Sequence, residues 1–311
     1  MLAIMVFAVL VGCQGDTTKG SAAQRSTTTG ATSTGFDGNA AYNYARAQVA
    51  FGPRVPGTPA AKRAGDWIIQ QMRARADTVI VQSFTHTTAD GKRLPLRNII
   101  ARFRPELPER VLYVTHWDSR PVSESASTEA EKKMPVPGAN DGASGVGMFV
   151  ALGDVLKRNK PTVGVDLLFT DGEDYGNFGP PEVDVLIGAK YFATHLPSPG
   201  YKPLYGVLWD MIGDKDLRIP YEMNSFQQAP EVVSRVWQTA ADLGYANVFV
   251  QESGGATTDD HVPLLNAGLR VIDVIDLTYA PHHTPNDTMD KISARSLATV
   301  GDVATALVTR K

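Results

Sequence analysis

The chain has one cysteine, Cys13, in 311 residues. A single cysteine supports neither a disulfide framework nor a thiolate zinc site, so any bound metal needs carboxylate and imidazole ligands. A basic excess is also lacking, since 30 Lys and Arg stand against 33 Asp and Glu, which gives no indication of nucleic-acid binding. With 43% hydrophobic residues, the chain can bury a large core and suits a soluble enzyme or a binding domain.

Two common catalytic motifs are missing. The segment Gly142–Gly145 lacks the spacing of a nucleophile elbow, and Gly145-Val146-Gly147 is not followed by the third glycine of a dinucleotide-binding loop. Neither a serine hydrolase nor a nicotinamide enzyme is therefore indicated.

Long apolar runs are scarce as well. The uncharged stretch Met1–Gly12 is too short to span a bilayer and is typical of the core of a secretory signal. Leu10-Val11-Gly12-Cys13 resembles the lipobox of bacterial lipoproteins, in which the cysteine is lipidated; a plain signal with a chance cysteine is the alternative. Residues 14–38 are rich in Ser, Thr and Gly and predict a flexible tether. We thus predict a signal over 1–13, a tether over 14–38 and a catalytic domain over 39–311.

The remainder of the chain alternates predicted strands and helices. After helices at Asn39–Val49 and Ala60–Arg75, strands Thr78–Thr85 and Leu96–Phe103 are joined by a turn at Asp90-Gly91. Strands are then predicted at 111–115, 163–169, 204–210, 247–251 and 270–276, and helices at 143–158, 185–195, 230–243, 260–267 and 293–309. The pattern predicts one α/β domain with a central, mostly parallel mixed sheet, extended by the hairpin and flanked by helices on both faces.

Acids and histidines stand at the ends of these strands, where open α/β sheets carry their sites. Zinc accepts imidazole and carboxylate ligands, and the candidates are His116, Asp141, Asp174, Asp210 and His283. A single acid after a strand is more often a helix cap or a loop residue. For Asp141, which precedes a predicted helix, capping is a direct alternative.

The adjacent carboxylates Glu173 and Asp174 are a second indication of a metal-dependent active site. Neighbouring residues that leave a strand point in different directions, so one can bind metal while the other faces substrate as a general base and acid. A solvated turn over 171–174 is the alternative.

Other polar and aromatic residues have simpler interpretations. His86 and His195 are taken as structural, and His261 either orients an acid or is an ordinary buried histidine. Trp117 and Trp209 adjoin the acids, so they belong either to the core or to a pocket wall. The charged segment Ser123–Lys133 predicts a solvated loop.

Six motifs together resemble the zinc-dependent superfamily that contains secreted bacterial aminopeptidases and animal-type glutaminyl-peptide cyclotransferases. They read HWDSRP (116–121), GANDGASGVG (138–147), GEDYG (172–176), DMIG (210–213), TDDH (258–261) and HTPNDT (283–288). As a set they are most similar to the bacterial branch of the cyclotransferases.

This resemblance implies a set of roles. Asp141, Asp174 and His283 would bind one zinc, with Glu173 as proton shuttle and with Asp210 and Asp259 as a hydrogen-bonded acid network. The aminopeptidase branch uses a second metal, for which the candidate ligands or supporting residues here are His116, Asp118 and Asp210. The substrate pocket would be lined by Trp117, Trp209 and His282, although animal cyclotransferases have a tryptophan where this chain has His282.

The activity implied is conversion of N-terminal glutamine of peptides or proteins to pyroglutamate, with one zinc and with loss of ammonia. A two-zinc aminopeptidase is the alternative, and a binding lipoprotein without catalysis is a third. The implied partners are peptides or proteins with N-terminal Gln, no nucleic acid, and a membrane only through the lipid anchor in a bacterial cell envelope.

The lipobox interpretation predicts a membrane-bound protein. Several acyl chains on one residue anchor firmly, whereas one chain binds marginally. We expect Cys13→Ser to move the protein into the soluble fraction after cell fractionation. Unchanged membrane partitioning would contradict the interpretation.

Overall fold

A six-stranded sheet forms the centre of the protein in this computed structural model, which describes Ala3 and residues 34–310. The predictions for Cys13 and for residues 14–33 lie outside the described residues. In the described part of the chain the strands are β1 Thr78–Thr87, β2 Arg93–Phe103, β3 Arg110–His116, β4 Gly164–Thr170, β5 Tyr205–Asp210, β6 Ile219–Tyr221, β7 Phe249–Ser253 and β8 Val271–Ile275.

The predicted helices are all present, with ends that differ by a few residues, and the short helix Met223–Gln228 was not predicted. They are α1 Gly38–Val49, α2 Pro59–Arg73, α3 Ala143–Arg158, α4 Ile187–Thr194, α5 Met223–Gln228, α6 Pro230–Asp242, α7 His261–Asn266 and α8 Ala294–Thr309, with a 3₁₀ turn at Glu131–Lys133.

The main sheet has the strand order β1-β2-β4-β3-β5-β8. Strands β4, β3, β5 and β8 are mutually parallel, whereas the β1–β2 hairpin joins the sheet through an antiparallel β2–β4 pairing. This confirms the predicted mixed sheet with a hairpin extension. One strand was misplaced: the strand predicted at 247–251 is β7, which pairs with the unpredicted β6 in a separate two-stranded sheet.

Every residue of β3 and β4 is buried, because helices cover both faces of the sheet. Along β3, Val111 and Tyr113 pack into the larger core, which includes side chains of α2, α3 and α8. Leu112 and Val114 pack on the opposite face with side chains of α4 and α7. The alternation of side chains along a strand thus divides one apolar run between two cores.

The folded body begins earlier than predicted. Phe36 packs against the larger core, the Thr34 hydroxyl donates a hydrogen bond to Asp302, and the Asp37 carboxylate caps α1. These residues fall inside the predicted tether of 14–38, whose end at residue 38 is therefore wrong. A phenylalanine that can reach an apolar surface gains enough from burial to order its neighbours.

Parallel pairing brings the carboxyl ends of three strands to one edge of the sheet. His116 is the last residue of β3 and pairs in register with Thr170 at the end of β4, while Asp210 ends β5. None of the helices in the described ranges has the length and hydropathy needed to span a bilayer.

The contact between α1 and α3 depends on a glycine. A Cβ added at Gly147 of α3 would lie 2.5 Å from the carbonyl oxygen of Ala41 and 2.9 Å from the amide nitrogen of Ala45. Because overpacking of a fixed helix contact costs about 1–3 kcal/mol, we expect Gly147→Val to lower the free energy of unfolding in urea by that amount. Ser234→Val on the exposed side of α6 is the control, and equal effects would contradict the packing argument.

Candidate active site

Two overlapping groups of possible metal ligands meet at the carboxyl end of the sheet. His116, Asp141 and Asp210 form one group, and Asp141, His282 and His283 form the other. Within each group the ligand atoms lie within 4.8 Å of one another. Asp141 belongs to both and is the centre of the site.

The two carboxylate oxygens of Asp141 face different groups. Its Oδ1 lies 3.0 Å from Nε2 of His116, and its Oδ2 lies 3.7 Å from Nε2 of His283. The capping alternative is wrong, because Gly142 is the N-cap of α3 and no side chain caps that helix end. The Asp141 carboxylate is therefore free to hold a cation.

Two buried residues that sequence reasoning missed hold the loop that carries Asp141. The Asp287 carboxylate accepts hydrogen bonds from the backbone N–H groups of Asn140 and Asp141, at 2.8 and 3.1 Å. The Arg54 guanidinium donates to the carbonyls of Pro137 and Gly138 from the other side. Burial lowers the pKa of Arg54 to about 10, although the surrounding acids oppose this shift. The loop is thus fixed by a buried cation and a buried acid.

Asp174 and His283 lie together on one side of Asp141. Nε2 of His283 is 3.3 Å from Oδ1 of Asp174, and the same oxygen is 2.6 Å from Nη1 of Arg120. Nδ1 of His283 is 2.7 Å from Oε1 of Glu124. Arg120 lies in the HWDSRP motif, but Glu124 lies in the segment interpreted as a solvated loop, and no local signal marked it.

His116 forms the other side of the site with Asp210. Its Nε2 is 3.1 Å from Oδ1 of Asp210, and its Nδ1 is 3.5 Å from Oδ1 of Asp118. Asp118 also accepts the backbone N–H groups of Glu173 and Asp174, each at 3.2 Å. Asp118 therefore supports the backbone that carries the two adjacent acids.

Glu173 is only 6% exposed. Burial raises its pKa well above the usual value, and the charges of Asp259 and Asp174 raise it further, while His116 opposes this. A carboxyl group with a raised pKa beside metal ligands suits proton transfer near neutral pH.

Asp259 lies within electrostatic reach of Asp210. Burial raises the pKa of Asp259 well above its usual value, and Asp210 is the next largest contribution. Like charges in a buried site favour a shared proton. No hydrogen bond joins the two carboxylates in the described part of the chain, so the hydrogen-bonded acid network stays a prediction.

A cavity of about 480 Å³ opens onto these residues. Its wall contains Asp141, Glu173, Asp174, Asp210, Asp259, His282 and His283, together with Phe178, Met211, Ile275 and Leu277. His116 and Asp118 are buried behind this wall. Acids and imidazoles thus form one part of the cavity and apolar side chains another.

The two tryptophans belong to the core, the first of the two interpretations, and neither lines the cavity beside Asp141. Trp117 and Trp209 are 1% and 0% exposed and pack in the larger core, where Trp209 contacts the Tyr113 ring edge-on at 5.5 Å. Neighbouring residues of a strand point to opposite faces, so a tryptophan that precedes Asp210 points away from the cavity. His282 does line the cavity.

The other histidines lie outside the cavity wall. His86 pairs with Asp184 at 2.6 Å, and Nδ1 of His195 lies 3.0 Å from the carbonyl oxygen of Tyr191 in its own helix. His261 is fully buried between Glu222 and Asp273, at 3.2 and 3.8 Å, so it contacts acids behind the site.

The residues present fit a zinc ion. Two buried ligand atoms, Asp141 Oδ2 and Asp174 Oδ2, have no hydrogen-bond partner among the residues that the structure describes. Unpaired buried carboxylate oxygens are costly unless a cation neutralises them. Carboxylates and imidazoles are the ligands that zinc takes where thiolates are absent.

The known proteins that resemble this chain include glutaminyl cyclases and an aminopeptidase precursor. A glutaminyl cyclase from Porphyromonas gingivalis is 39% identical, with a TM-score of 0.84 over 88% of this chain and 97% of that one. A leucine aminopeptidase precursor from Bacteroides thetaiotaomicron is 33% identical, with a TM-score of 0.86 over 89% of this chain and 98% of that one. The glutaminyl-peptide cyclotransferase of Bos taurus is 24% identical over 82% of this chain and 77% of its own length.

Several curated relatives are longer proteins. The chain spans 35–51% of the length of two fungal zinc metalloproteases and a bacterial aminopeptidase that it matches. The family model of peptidase family M28 matches residues 98–308, a range that contains all the candidate ligands from His116 to His283. The chain therefore belongs to peptidase family M28, and its predicted resemblance to the zinc exopeptidases and glutaminyl cyclases is confirmed.

Proposed function

We propose that this protein is a zinc-dependent glutaminyl-peptide cyclotransferase that acts on peptides or proteins with N-terminal glutamine. The observation that carries the proposal is the environment of Glu173. This buried acid, whose pKa is raised, lines the same cavity as Asp141, Asp174 and His283. The similarity to the Porphyromonas gingivalis glutaminyl cyclase supports the same assignment.

Asp141, Asp174 and His283 would hold the zinc, since Nε2 of His283 lies 3.7 Å from Oδ2 of Asp141 and 3.3 Å from Oδ1 of Asp174. When bound, zinc acts as a Lewis acid that polarises a carbonyl oxygen.

Glu173 moves the proton. The α-amine nitrogen of the substrate forms a bond to the carbon of the side-chain amide, and the bond from that carbon to the amide nitrogen breaks. Glu173 accepts the proton that the attacking amine loses and returns it to the departing nitrogen, which leaves as ammonia. Nucleophile and electrophile belong to the same residue, so the cavity mainly has to hold a folded conformer.

The apolar part of the cavity suits the rest of the peptide. Phe178, Met211 and Leu277 lie on the wall beside the acids, and the Leu277 side chain is partly exposed at 37%. Apolar surface at this position can bind the residues that follow the glutamine without competing for the catalytic acids.

A second candidate function is zinc aminopeptidase, which the group His116, Asp141 and Asp210 favours. These residues could hold a second metal, and Glu173 would then activate water for hydrolysis of the peptide bond. Zinc content separates the candidates, because we expect about one ion per chain for cyclisation and about two for hydrolysis. A binding lipoprotein without catalysis is less consistent with a buried, proton-accepting Glu173 in the cavity.

The cyclotransferase assignment predicts ammonia release from Gln-initiated dipeptides by the zinc-loaded protein. Because general acid–base catalysis contributes about 10²–10⁴-fold, we expect Glu173→Gln to lower kcat by that factor while zinc content stays unchanged. Glu129→Gln, at an exposed position of the loop after β3, is the control. Absence of ammonia from the unmodified protein, or full turnover by Glu173→Gln, would contradict the assignment.

A separate prediction concerns the acid network. Asp259 contacts none of the proposed zinc ligands through a hydrogen bond among the described residues, so Asp259→Ala should leave the zinc in place. Asp259 lines the cavity and its charge raises the pKa of Glu173, so we expect cyclisation to fall about 10–100-fold, the usual cost of losing a supporting residue of a metal site. Metal analysis and steady-state kinetics check the two parts, and loss of zinc in this variant would place Asp259 among the ligands.

A further inference from the structure

His283 has an unusual backbone conformation for a candidate metal ligand. Its φ angle is 55°, in the left-handed region that residues other than glycine rarely adopt. A non-glycine residue in this region is strained and persists only where surrounding contacts fix it. The contacts that fix His283 therefore determine where its imidazole lies.

Two consecutive residues of another loop supply those contacts. The backbone N–H of Ser125 donates to the carbonyl oxygen of His283 at 3.2 Å. The Glu124 side chain accepts from Nδ1 of the same histidine at 2.7 Å. One contact holds the main chain of His283 and the other holds its ring.

Glu124 is also linked, through Arg120, to Asp174, the other proposed zinc ligand on this side of the site. Oε2 of Glu124 is 2.7 Å from Nε of Arg120, and Nη1 of Arg120 is 2.6 Å from Oδ1 of Asp174. Asp174 lies 3.3 Å from Nε2 of His283. Glu124, Arg120, Asp174 and His283 thus form a closed ring of charged contacts.

Both oxygens of the Glu124 carboxylate are engaged, Oε1 at Nδ1 of His283 and Oε2 at Nε of Arg120. A carboxylate offers only acceptors, so the shared proton of this contact lies on Nδ1. A histidine that donates from Nδ1 keeps the lone pair of Nε2 for a metal.

We propose that Glu124 and Ser125 form a clamp on His283, in which Glu124 is a positioning residue that fixes the tautomer and the direction of the zinc-binding imidazole. The loop, whose composition predicts only a solvated segment, would thus support the metal site. This inference rests on the proposed function only in that zinc binds His283, and it applies equally whether the enzyme cyclises glutamine or hydrolyses peptide bonds.

The loop has its own backbone support, so the Glu124 side chain can be changed without removing the loop. Ser123 donates its backbone N–H to Lys132 at 3.1 Å and its hydroxyl to Met134 at 2.8 Å. Val136 donates its backbone N–H to the carbonyl of Arg120 at 3.0 Å. The Glu124 side chain itself is 44% exposed, so its truncation opens no cavity in the core.

The test compares Glu124→Ala and Glu124→Gln with the unmodified protein. Zinc affinity is measured by competition with a chromophoric chelator, and the absorption spectrum of the Co²⁺-substituted protein reports the ligand geometry. We expect Glu124→Ala to weaken zinc binding about 10–100-fold and to change the Co²⁺ spectrum. Glu124→Gln should recover part of the affinity, because its amide oxygen can still accept from Nδ1.

Glu129→Ala is the matched control, because Glu129 lies in the same loop, is 83% exposed and pairs only with Lys132 among the described residues. We expect it to change neither the affinity nor the spectrum. The clamp is overturned if Glu124→Ala has the same zinc affinity and the same Co²⁺ spectrum as the unmodified protein. Failure of the unmodified protein to bind zinc would instead overturn the proposed function.

Discussion

Buried negative charge around Asp141 is the constraint on which the site depends. Asp141, Asp174, Glu173, Asp210 and Asp259 are all at most 7% exposed and line one cavity. Carboxylates removed from water remain charged only where cations or hydrogen-bond donors compensate them, and otherwise they take up protons. Burial raises the pKa values of Glu173 and Asp259, whereas at Asp141 three neighbouring histidines outweigh burial and lower the pKa.

The fold supplies the compensation from segments far apart in the chain. Arg54 comes from the loop before α2, Arg120 from the segment after β3, and Asp287 from the segment before α8. Asp287 has a pKa raised to about 7 by burial and by the charge of Asp141, so it can hold the backbone of the Asp141 loop without a full negative charge. A parallel sheet makes this convergence possible, because its strand ends and following loops meet at one edge.

Whether a feature of the fold or of the site could be predicted from the sequence depends on how far apart in the chain the interacting residues lie. The strand ends at His116 and Asp210 follow from local apolar runs, and the motif around Glu173 was informative by itself. The orientation of Trp209 also follows from a local rule, because side chains alternate along a strand and the next residue is Asp210. The contact of Glu124 with His283 and that of Arg54 with Gly138 could not be predicted, because each joins segments separated by at least 80 residues and depends on the packed geometry. The strand β6 has only three residues, too few for a periodic signal.

The same electrostatic balance explains why imidazoles lie on both sides of Asp141. Burial lowers the pKa of His116, but Asp210, Asp118 and Asp141 outweigh this and raise it well above the usual value. On the other side of Asp141, Nε2 of His283 lies 3.3 Å from Oδ1 of Asp174, and a zinc ion there would also neutralise the unpaired Oδ2 of Asp174. The carboxylates that the fold removes from water thus take their compensation from imidazoles, from Arg120 and from a bound cation, and this set of donors fits zinc.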